Sequence, residues 1–413
     1  MNDGYKEVKI GPTFIPLPRR WSIKKLEHIT DVRSSNVNKK SKNTEIPVRL
    51  CNYLDVYKNE YINNNINFMK ATAKKREVDR FTIEQEDVII TKDSETDDDI
   101  GVPAVVSENL SGVLCGYHLT LLKSKPNSVS GYFLAKVLQS EIVRNQFYRK
   151  AQGLTRYSLT VGSIKNTLIP IPPLPEQKKI ATILSTVDKA LEKTTMIIDK
   201  TKRLKKGLMQ RLLTKGIGHE EFKEVRIDVK KHKIPIDWQA HPLHELIELR
   251  NGKSNPKKNL SNSYSIPVYG GNGITGYYNS PLMKRPTIII GRVGEYCGSI
   301  HLVKERCWIT DNAIYLKDIK EKQLINIDFL AFYLKYKNLN RLSNRTGQPK
   351  LTQSRILSVE IPIPPLPEQK QIASILTSVV NKIQKEQEYK QQLQQLKKGL
   401  MQQLLTGRRR VQV

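Results

Sequence analysis

The chain has 413 residues, with 69 lysines and arginines against 40 aspartates and glutamates, which gives a formal net charge of +29. This length accommodates roughly two to four domains, each large enough to bury its own core. With 38% hydrophobic residues, the sequence is too apolar to be wholly disordered. No apolar run approaches the roughly 18 residues of a membrane helix, and the N-terminus lacks the apolar segment of a signal peptide, so we expect a cytoplasmic protein.

The positive charge is spread along the chain and predicts a polyanionic partner, with nucleic acid as the first candidate. The net charge is +7 over residues 1–174, +10 over 215–366, and +9 over 175–214 and 367–406 taken together. A basic surface that serves only solubility is the alternative explanation.

The four cysteines are sparse for this length and form no CxxC pair. We therefore expect reduced thiols rather than a disulfide framework or a zinc site. These residues are Cys51, Cys115, Cys297 and Cys307.

Both globular halves are predicted to be α+β or mostly β, with α+β preferred. The interior of the first half contains a β-branched run at 87–91, a turn-rich stretch at 94–99 and a helical segment at 131–148. The second half has a comparable run at 287–291 and a helical segment at 328–336.

Each half is followed by a predicted long helix. The PIPPLPEQ segments stop the preceding strands, and Pro175 or Pro367 can occupy the first helical turn. Apolar residues then recur at 4-3 spacing over about 40 residues, or roughly 60 Å of helix, which is longer than a domain of ~150 residues. We expect the two helices to form an antiparallel coiled coil between two globular domains, a dumbbell. The predicted seam comprises Ile180, Leu184, Val187, Leu191, Ile198, Leu208, Ile372, Leu376, Val379, Ile383, Leu393 and Leu400.

The chain is a tandem duplication. Residues 169–181 (IPIPPLPEQKKIA) match 361–373 (IPIPPLPEQKQIA), and 204–214 match 396–406, both at an offset of 192. Because a single offset relates both pairs of segments, we expect each half and its helix to form one repeat, with pseudo-two-fold symmetry between the two repeats.

A second match, at an offset of 217, pairs residues 5–10 with 222–227 and Trp21 with Trp238. The second half is thus 25 residues shorter, and the interiors, about 30–150 and 250–345, hardly match. The repeat also predicts that the two chain ends lie close together. The predicted domains are a globular domain at 1–174, a coiled-coil helix at 175–214, a linker and second globular domain at 215–366, and a second coiled-coil helix with a basic tail at 367–413.

Three weaker signals favour ordinary structure over a catalytic site. Residues 271–276 (GNGITG) match GxGxxG, but YYNSP follows where a dinucleotide fingerprint needs a helix, so we predict a flexible loop. His241 and His244 lack a third metal ligand, and the acidic run at 95–99 is typical of a solvated turn.

The duplicated I-P-I-P-P-L-P-E-Q-x-x-I-A, followed by a helix that ends L-x-x-G-L-M-Q-x-L-L-T, resembles the specificity subunit of bacterial type I restriction–modification systems. The Leu17-Pro18-x-x-Trp21 and Ile234-Pro235-x-x-Trp238 openings are similar to the start of that family's target recognition domains, and the likeness covers essentially the whole chain. It implies a non-catalytic reader of a bipartite, asymmetric DNA site, with the helices setting the unspecified gap.

The resemblance also implies partners. These are double-stranded DNA, two methyltransferase (modification) subunits that bring S-adenosylmethionine, and restriction subunits that bring ATP and magnesium. This chain is expected to bind no cofactor and no metal. It contains neither a GxxxxGK[ST] phosphate loop nor the tetrapeptide of an amino-methyltransferase, which fits that division of labour.

Base edges and phosphates are contacted by Arg, Lys, Asn, Gln and hydroxyl groups, and such residues cluster near the two strand runs and before each repeated PIPPLPEQ. The predicted DNA-binding residues are Lys92, Ser94, Tyr117, His118, Arg149, Arg156, Tyr157, Asn272, Tyr277, Arg292, Arg345, Gln348 and Lys350.

Two other functions compete with DNA reading. A coiled-coil scaffold that holds two partners would bind nucleic acid only weakly and without regard to sequence. A dinucleotide-dependent enzyme would need the GxGxxG segment to open a helix.

Overall fold

The computed structural model describes residues 4–11, 13–228, 230–254, 260–344 and 347–412. The chain forms two compact units. Unit 1 comprises Met1–Thr194 and Tyr389–Val413, and unit 2 comprises Thr195–Glu388. Both units combine helices and strands, so the α+β prediction is confirmed. Each unit also contains one end of each long helix, whereas the division predicted from the sequence separated the helices from the domains.

The first globular half begins with an antiparallel hairpin and continues as alternating strands and short helices. Its strands are β1 (Tyr5–Ile10), β2 (Thr13–Pro18), β3 (Ser22–Lys25), β4 (Thr30–Ser34), β5 (Ile46–Cys51), β6 (Tyr61–Ile62), β7 (Met69–Ala73), β8 (Val88–Thr91), β9 (Asp93–Ser94), β10 (Pro103–Val106), β11 (Val113–Cys115), β12 (Leu119–Ser124), β13 (Tyr157–Ser158) and β14 (Leu168–Ile171). Its helices are α1 (Leu26–Ile29), α2 (Tyr53–Tyr57), α3 (Lys75–Phe81), α4 (Gly131–Leu138), α5 (Glu141–Lys150) and α6 (Val161–Lys165).

Two sheets form the body of this half. One has the order β4-β12-β8-β10-β6, and the other has the order β11-β5-β7. Strand β8 is buried along its whole length, as expected for a central strand between two packed layers. The single helix predicted at 131–148 is instead two helices, because the Ser140 hydroxyl donates to the Val137 carbonyl at 2.6 Å and the backbone turns there.

The second half begins with its own hairpin. Its strands are β15 (Phe222–Ile227), β16 (Lys230–Pro235), β17 (Gln239–Pro242), β18 (Ile247–Asn251), β19 (Ile266–Gly270), β20 (Gly273–Tyr278), β21 (Thr287–Gly291), β22 (Ile300–Val303), β23 (Trp308–Ile309), β24 (Ala313–Ile319) and β25 (Glu360–Ile363). Its short helices are α8 (Leu243–Leu246), α9 (Ile327–Lys337) and α10 (Gln353–Leu357), with a 3-10 turn at Leu339–Leu342. Its main sheets have the orders β18-β24-β21-β22 and β20-β19-β23.

The interiors, which hardly match in sequence, share one topology. In each large sheet the first four strands pair antiparallel in the same connection order. In each small sheet the middle strand pairs with one parallel and one antiparallel neighbour. The duplication therefore extends through the whole of each half. A sheet core requires apolar side chains at the right period but few particular identities, so the sequences can diverge while the fold persists.

The long helices begin one residue before their predicted starts, as α7 (Leu174–Lys215) and α11 (Leu366–Leu404). In unit 1, Leu404 and Leu405 lie in the same apolar cluster as Ile180 and Leu184, so the end of α11 packs beside the start of α7. In unit 2, Leu212 and Leu213 likewise share a cluster with Ile372 and Leu376. The helices therefore run antiparallel within each unit.

Burial along the predicted seam is uneven. Eight of its residues are buried, whereas Leu191, Leu208, Val379 and Leu400 are half-buried. Two further buried positions of α7, Thr194 and Thr201, are polar and donate their hydroxyls to the carbonyls of Ala190 and Ile197.

The repeated Glu-Gln pair joins each long helix to its globular half. Gln177 accepts from the backbone amide of Ser130 at 3.0 Å, and Gln369 accepts from that of Asn326 at 2.8 Å. These amides stand at the starts of α4 and α9, where a helix lacks internal partners. The glutamine of the repeated PEQ motif thus binds the start of a helix in each globular half.

The neighbouring glutamates bind the two tryptophans. Trp21 donates its indole N–H to Glu176 at 3.2 Å, and Trp238 donates to Glu368 at 3.0 Å. Glu176 also accepts from Arg410 Nε at 2.6 Å. Tyr5 Oη donates to the Gly407 carbonyl at 3.0 Å, so the two chain ends meet as the repeat predicts.

All four cysteines are buried and unpaired. Burial raises the pKa of each thiol, that of Cys307 to about 11 with a further contribution from Glu305, so these thiols are protonated at neutral pH. None of the helices in the described part of the chain is long and apolar enough to cross a membrane.

Candidate nucleic-acid interface

In unit 1, three segments meet where the central strand β8 ends. The Lys92 amide donates to the His118 carbonyl at 3.1 Å, and the Leu159 amide donates to the Lys92 carbonyl at 2.8 Å. Strand β13 pairs with β9 in the register Tyr157↔Ser94. The predicted residues Lys92, His118 and Tyr157 thus come together from distant parts of the chain. We call this region surface 1.

The side chains of surface 1 hold one another in place. His118 Nδ1 lies 2.5 Å from Asp93 Oδ2, and Lys92 Nζ donates to Ser34 Oγ at 3.1 Å. The ammonium group of Lys92 lies 4.9 Å from the centre of the Tyr117 ring, which is half exposed. His118 has φ +70°, a left-handed conformation that costs most residues about 1 kcal/mol or more and is often retained at functional sites.

A projecting loop, residues 153–157, completes surface 1. The backbones of Gln152 and Ser158 exchange two hydrogen bonds, of 3.1 and 2.9 Å, which close the loop at its base. Arg156 is exposed on this loop. Burial raises the pKa of the nearby Tyr53 phenol, with a further contribution from Asp99.

Unit 2 builds a second surface on the same backbone pattern. The Arg292 amide donates to the Asn312 carbonyl at 2.9 Å, and the Leu351 amide donates to the Arg292 carbonyl at 2.8 Å. Arg292 therefore occupies the place of Lys92, and Asn312 that of His118. We call this region surface 2.

Surface 2 presents different side chains. Asn312, Gln348 and Lys350 are exposed, and Arg292 Nη1 donates to the Asp311 carbonyl at 3.2 Å. The loop at 347–350 is joined to the turn after β21, because the Gly294 amide donates to the Pro349 carbonyl at 2.9 Å. Gly291 permits this tight turn, since a Cβ there would lie 2.1 Å from the Tyr296 carbonyl oxygen.

Several predicted residues are buried or lie away from the two surfaces. Ser94 is buried at 7% exposure and accepts from the Thr96 amide, so it shapes a turn instead of facing a ligand. Arg149 is on α5, where it lines a separate cleft of about 1070 Å³. Tyr157 is half-buried beneath surface 1, and Tyr277 pairs with Pro267, away from the turn of its hairpin.

Asn272 is exposed in the tight turn between β19 and β20, beside surface 2. A Cβ on the preceding Gly271 would lie 3.5 Å from the Asn312 carbonyl oxygen, which places this turn next to Asn312. Arg345 lies outside the described residues.

Two residues of these surfaces were missed from the sequence. Asp93 fixes the His118 ring, and Asn312 stands in the position that His118 occupies in unit 1. Asn312 directly precedes a buried strand, as His118 does, and this shared position could have identified it.

The GxGxxG segment is a hairpin and not a flexible loop. Residues 270 and 273 pair across its turn, and β20 follows where a dinucleotide-binding fold needs a helix. This geometry excludes a dinucleotide-binding turn at residues 271–276, on which the hypothesis of a dinucleotide-dependent enzyme rested. His241 lies 3.3 Å from Glu245 Oε2, and within the described ranges no group of His, Cys, Asp and Glu could hold a metal ion.

The comparison with a known family agrees with this geometry. The family described as Type I restriction modification DNA specificity domain matches residues 18–200 and 235–395, one match for each repeat. These ranges contain both surfaces and most of each long helix, ending at residue 200 within α7 and at residue 395 within α11.

Individual proteins show the same likeness. The chain is 26% identical to the type I restriction enzyme MjaX specificity subunit of Methanocaldococcus jannaschii, over 99% of this chain and 97% of that protein. It is 29% identical to the type I restriction enzyme MjaVIII specificity subunit of the same organism, over 60% of this chain and 63% of that one.

A crystal structure of the type I restriction–modification S subunit from M. genitalium has the same fold. The TM-score is 0.66 at 17% identity, over 93% of this chain and 96% of that chain. The duplicated α+β fold and the family match over both repeats define a specificity subunit of the type I class. The chain belongs to the type I restriction-modification DNA specificity family.

Proposed function

We propose that this chain reads a bipartite, asymmetric DNA site, with surface 1 contacting one half-site and surface 2 the other. The observation that carries the proposal is that one backbone pattern presents Lys92 and His118 in unit 1 but Arg292 and Asn312 in unit 2. Equivalent placement supports equivalent roles. Different side chains support different half-sites, because the major groove presents a distinct pattern of donors and acceptors for each base pair.

The chemistry of each surface favours DNA over other anions. Lysine and arginine bind phosphates without regard to sequence, whereas Asn and Arg can make bidentate contacts to adenine and guanine edges. The overall charge of +29 supplies the attraction to the phosphate backbone. A sequence-blind scaffold would not need two matched surfaces of different chemistry.

We further propose that catalysis is left to partners in the cytoplasm. Modification subunits would bring S-adenosylmethionine, and restriction subunits would bring ATP and magnesium, while this chain binds none of these. The names of its relatives, which are specificity subunits of restriction enzymes, support such partners.

Exchange of one interior tests the proposal. Replacing residues 30–159, which include the loop at 153–157, with the equivalent part of another recognition domain should change one half-site and leave the other intact, because each surface is built within one unit. Methylated sites are read by sequencing DNA from cells that express the chain with its modification partner. The purified chain should bind the identified site in a salt-sensitive manner and transfer no methyl group by itself. A methylated sequence unaffected by the exchange would contradict the proposal.

A single base contact is expected from Asn312. Asn312→Ala should weaken binding by about 1–3 kcal/mol and relax discrimination at one position of one half-site, since a bidentate side chain is removed from an exposed place on surface 2. Competition binding against a panel of single-base variants measures this. Asn262→Ala, another exposed asparagine of unit 2, is the matched control. Equal losses at every position would assign Asn312 to the phosphates.

The number of modification subunits can be tested at two repeated leucines. Leu204 and Leu396, separated by the 192-residue offset, are 56% and 50% exposed on α7 and α11. Because an apolar side chain is exposed at the same position of both repeats, we expect each repeat to bind one copy of the same partner there. Leu204→Asp and Leu396→Asp should each lose one copy, and the double variant both.

Native mass spectrometry of the complex counts the bound copies. Gln391→Asp introduces the same charge at another exposed position of α11 and should retain both. Loss of both copies from either single variant would contradict two independent sites.

A further inference from the structure

Leu154 is exposed in a way that its fold does not explain. Its side chain is 96% exposed, while the next most exposed large apolar side chain within the described ranges is Phe14 at 61%. Scattered apolar residues are normal on protein surfaces, but an almost fully exposed leucine at the tip of a loop contributes nothing to the core. It is therefore available to a partner.

The loop that carries Leu154 is a built structure. The paired backbones of Gln152 and Ser158 close it, and β13 fastens it to β9. Gly153 has φ +142°, and a Cβ there would lie 2.0 Å from the Arg156 carbonyl oxygen, so only glycine fits the turn. Leu154 follows this turn directly and is held away from the domain.

The surroundings of Leu154 identify the partner. Arg156 is exposed two residues further along, and Lys92 and His118 lie at the strand to which the loop is fastened. These cationic and hydrogen-bonding groups suit a DNA duplex. The apolar surfaces that a duplex offers are the faces of its stacked bases and the thymine methyl groups.

We propose that Leu154 is a wedge that enters the base stack of the half-site read by surface 1 and opens one base step. The inference rests on the proposed function, because it requires surface 1 to face DNA. Apolar side chains inserted between base pairs unstack and kink DNA. Because the Leu154 side chain is almost fully exposed, insertion is favoured over contact with a methyl group at the groove surface. At the 192-residue offset the counterpart of Leu154 is Thr346, so one half-site alone is opened.

The test uses the full chain and duplexes that carry its recognition site, identified beforehand from the methylated DNA. 2-Aminopurine, whose fluorescence is quenched by stacking, replaces each adenine of both half-sites in turn. The wild type should raise the fluorescence several-fold at one position of one half-site. Leu154→Ala should abolish this rise and weaken binding about tenfold, whereas Phe14→Ala, on the β1–β2 hairpin, should change neither.

A second duplex separates the wedge from a surface contact. With a mismatch at the responsive step, stacking is already weakened, so the affinity lost in Leu154→Ala should shrink to about twofold. Unchanged fluorescence and affinity in Leu154→Ala would overturn the wedge. A loss that persists on the mismatched duplex but disappears when one thymine is replaced by uracil would overturn it in favour of a methyl contact. Absence of site-dependent binding by the wild type would overturn the proposed function, and the wedge with it.

Discussion

Lys136→Met should destabilise unit 1 by about 3 kcal/mol, because it removes one of the two cations that the buried carboxylate of Asp188 contacts. Lys136 is 1% exposed, and its ammonium group contacts Asp188 and lies 2.6 Å from Glu60 Oε2. Lys397 of α11 completes the network at 2.7 Å from Asp188 Oδ1. Chemical denaturation of the full chain, followed by hydrogen exchange of α4, measures the loss.

Two variants control for this prediction. Lys75→Met removes an exposed ion pair with Asp79 and should cost less than about 1 kcal/mol. In unit 2, Phe332 stands in the place of Lys136 when the two capped residues, Ser130 and Asn326, are aligned. Val380 stands in the place of Asp188 at the 192-residue offset. The double variant Lys136→Phe, Asp188→Val should thus be more stable than Lys136→Met alone. If Lys136→Met matched the wild type, the network would be dispensable.

The network also predicts acid sensitivity. Burial by itself would raise the pKa of Glu60, but Lys136 and Lys397 lower it to about 2 from an ordinary 4.5. Because the folded-state pKa is depressed, the stabilisation is present above about pH 4.5 and is lost as the pH falls toward 2. Thermal unfolding of the wild type and of Glu60→Gln across this interval should show a weaker pH dependence in the variant.

Lengthening both spacer helices should lengthen the gap between the half-sites. Four residues inserted at the equivalent positions Leu191 and Ile383 would extend each helix by about 6 Å, or about two base pairs of DNA, with some change in relative rotation. Both α7 and α11 continue through these positions without a break. Sequencing of methylated DNA from cells that carry the variant gives the new gap.

Matched insertion is essential to that experiment. Insertion in α7 alone would displace its apolar residues from those of α11, so loss of methylation is expected in place of a new spacing. If the doubly lengthened chain methylated the original site, the helices would not act as a spacer.

The repeated flanks were predictable because their chemistry is local. Pro175 and Pro367 begin the helices, and the period of the apolar residues predicts their length. The common topology of the interiors was not predictable, because a buried strand such as β8 or β21 requires only apolar residues. A repeat is recognised in a sequence by identical residues at a fixed offset, whereas core packing requires apolar residues of suitable size and not identical ones.

The positions of surface 1 and surface 2 were predictable in part, for a similar reason. Lys92 and Arg292 stand at the ends of recognisable strands, so position and residue type together indicate their role. The pairing of His118 with Asp93 joins residues 25 apart in sequence through the fold. Ser94 is of a residue type typical of exposed turns, whereas the structure buries it where β9 pairs with β13.

The meeting of Tyr5 with Gly407 makes the polypeptide almost a closed ring. In unit 2 the chain passes from α7 through residues 216–221 into β15, and the Gly216 position lies beside Trp238 much as Gly407 lies beside Trp21. The break between the termini therefore stands where the other repeat has a short connection. A chain opened at residue 218, with its present ends joined, would keep each globular half beside the same helix ends, so we expect the fold to tolerate either order of the two halves.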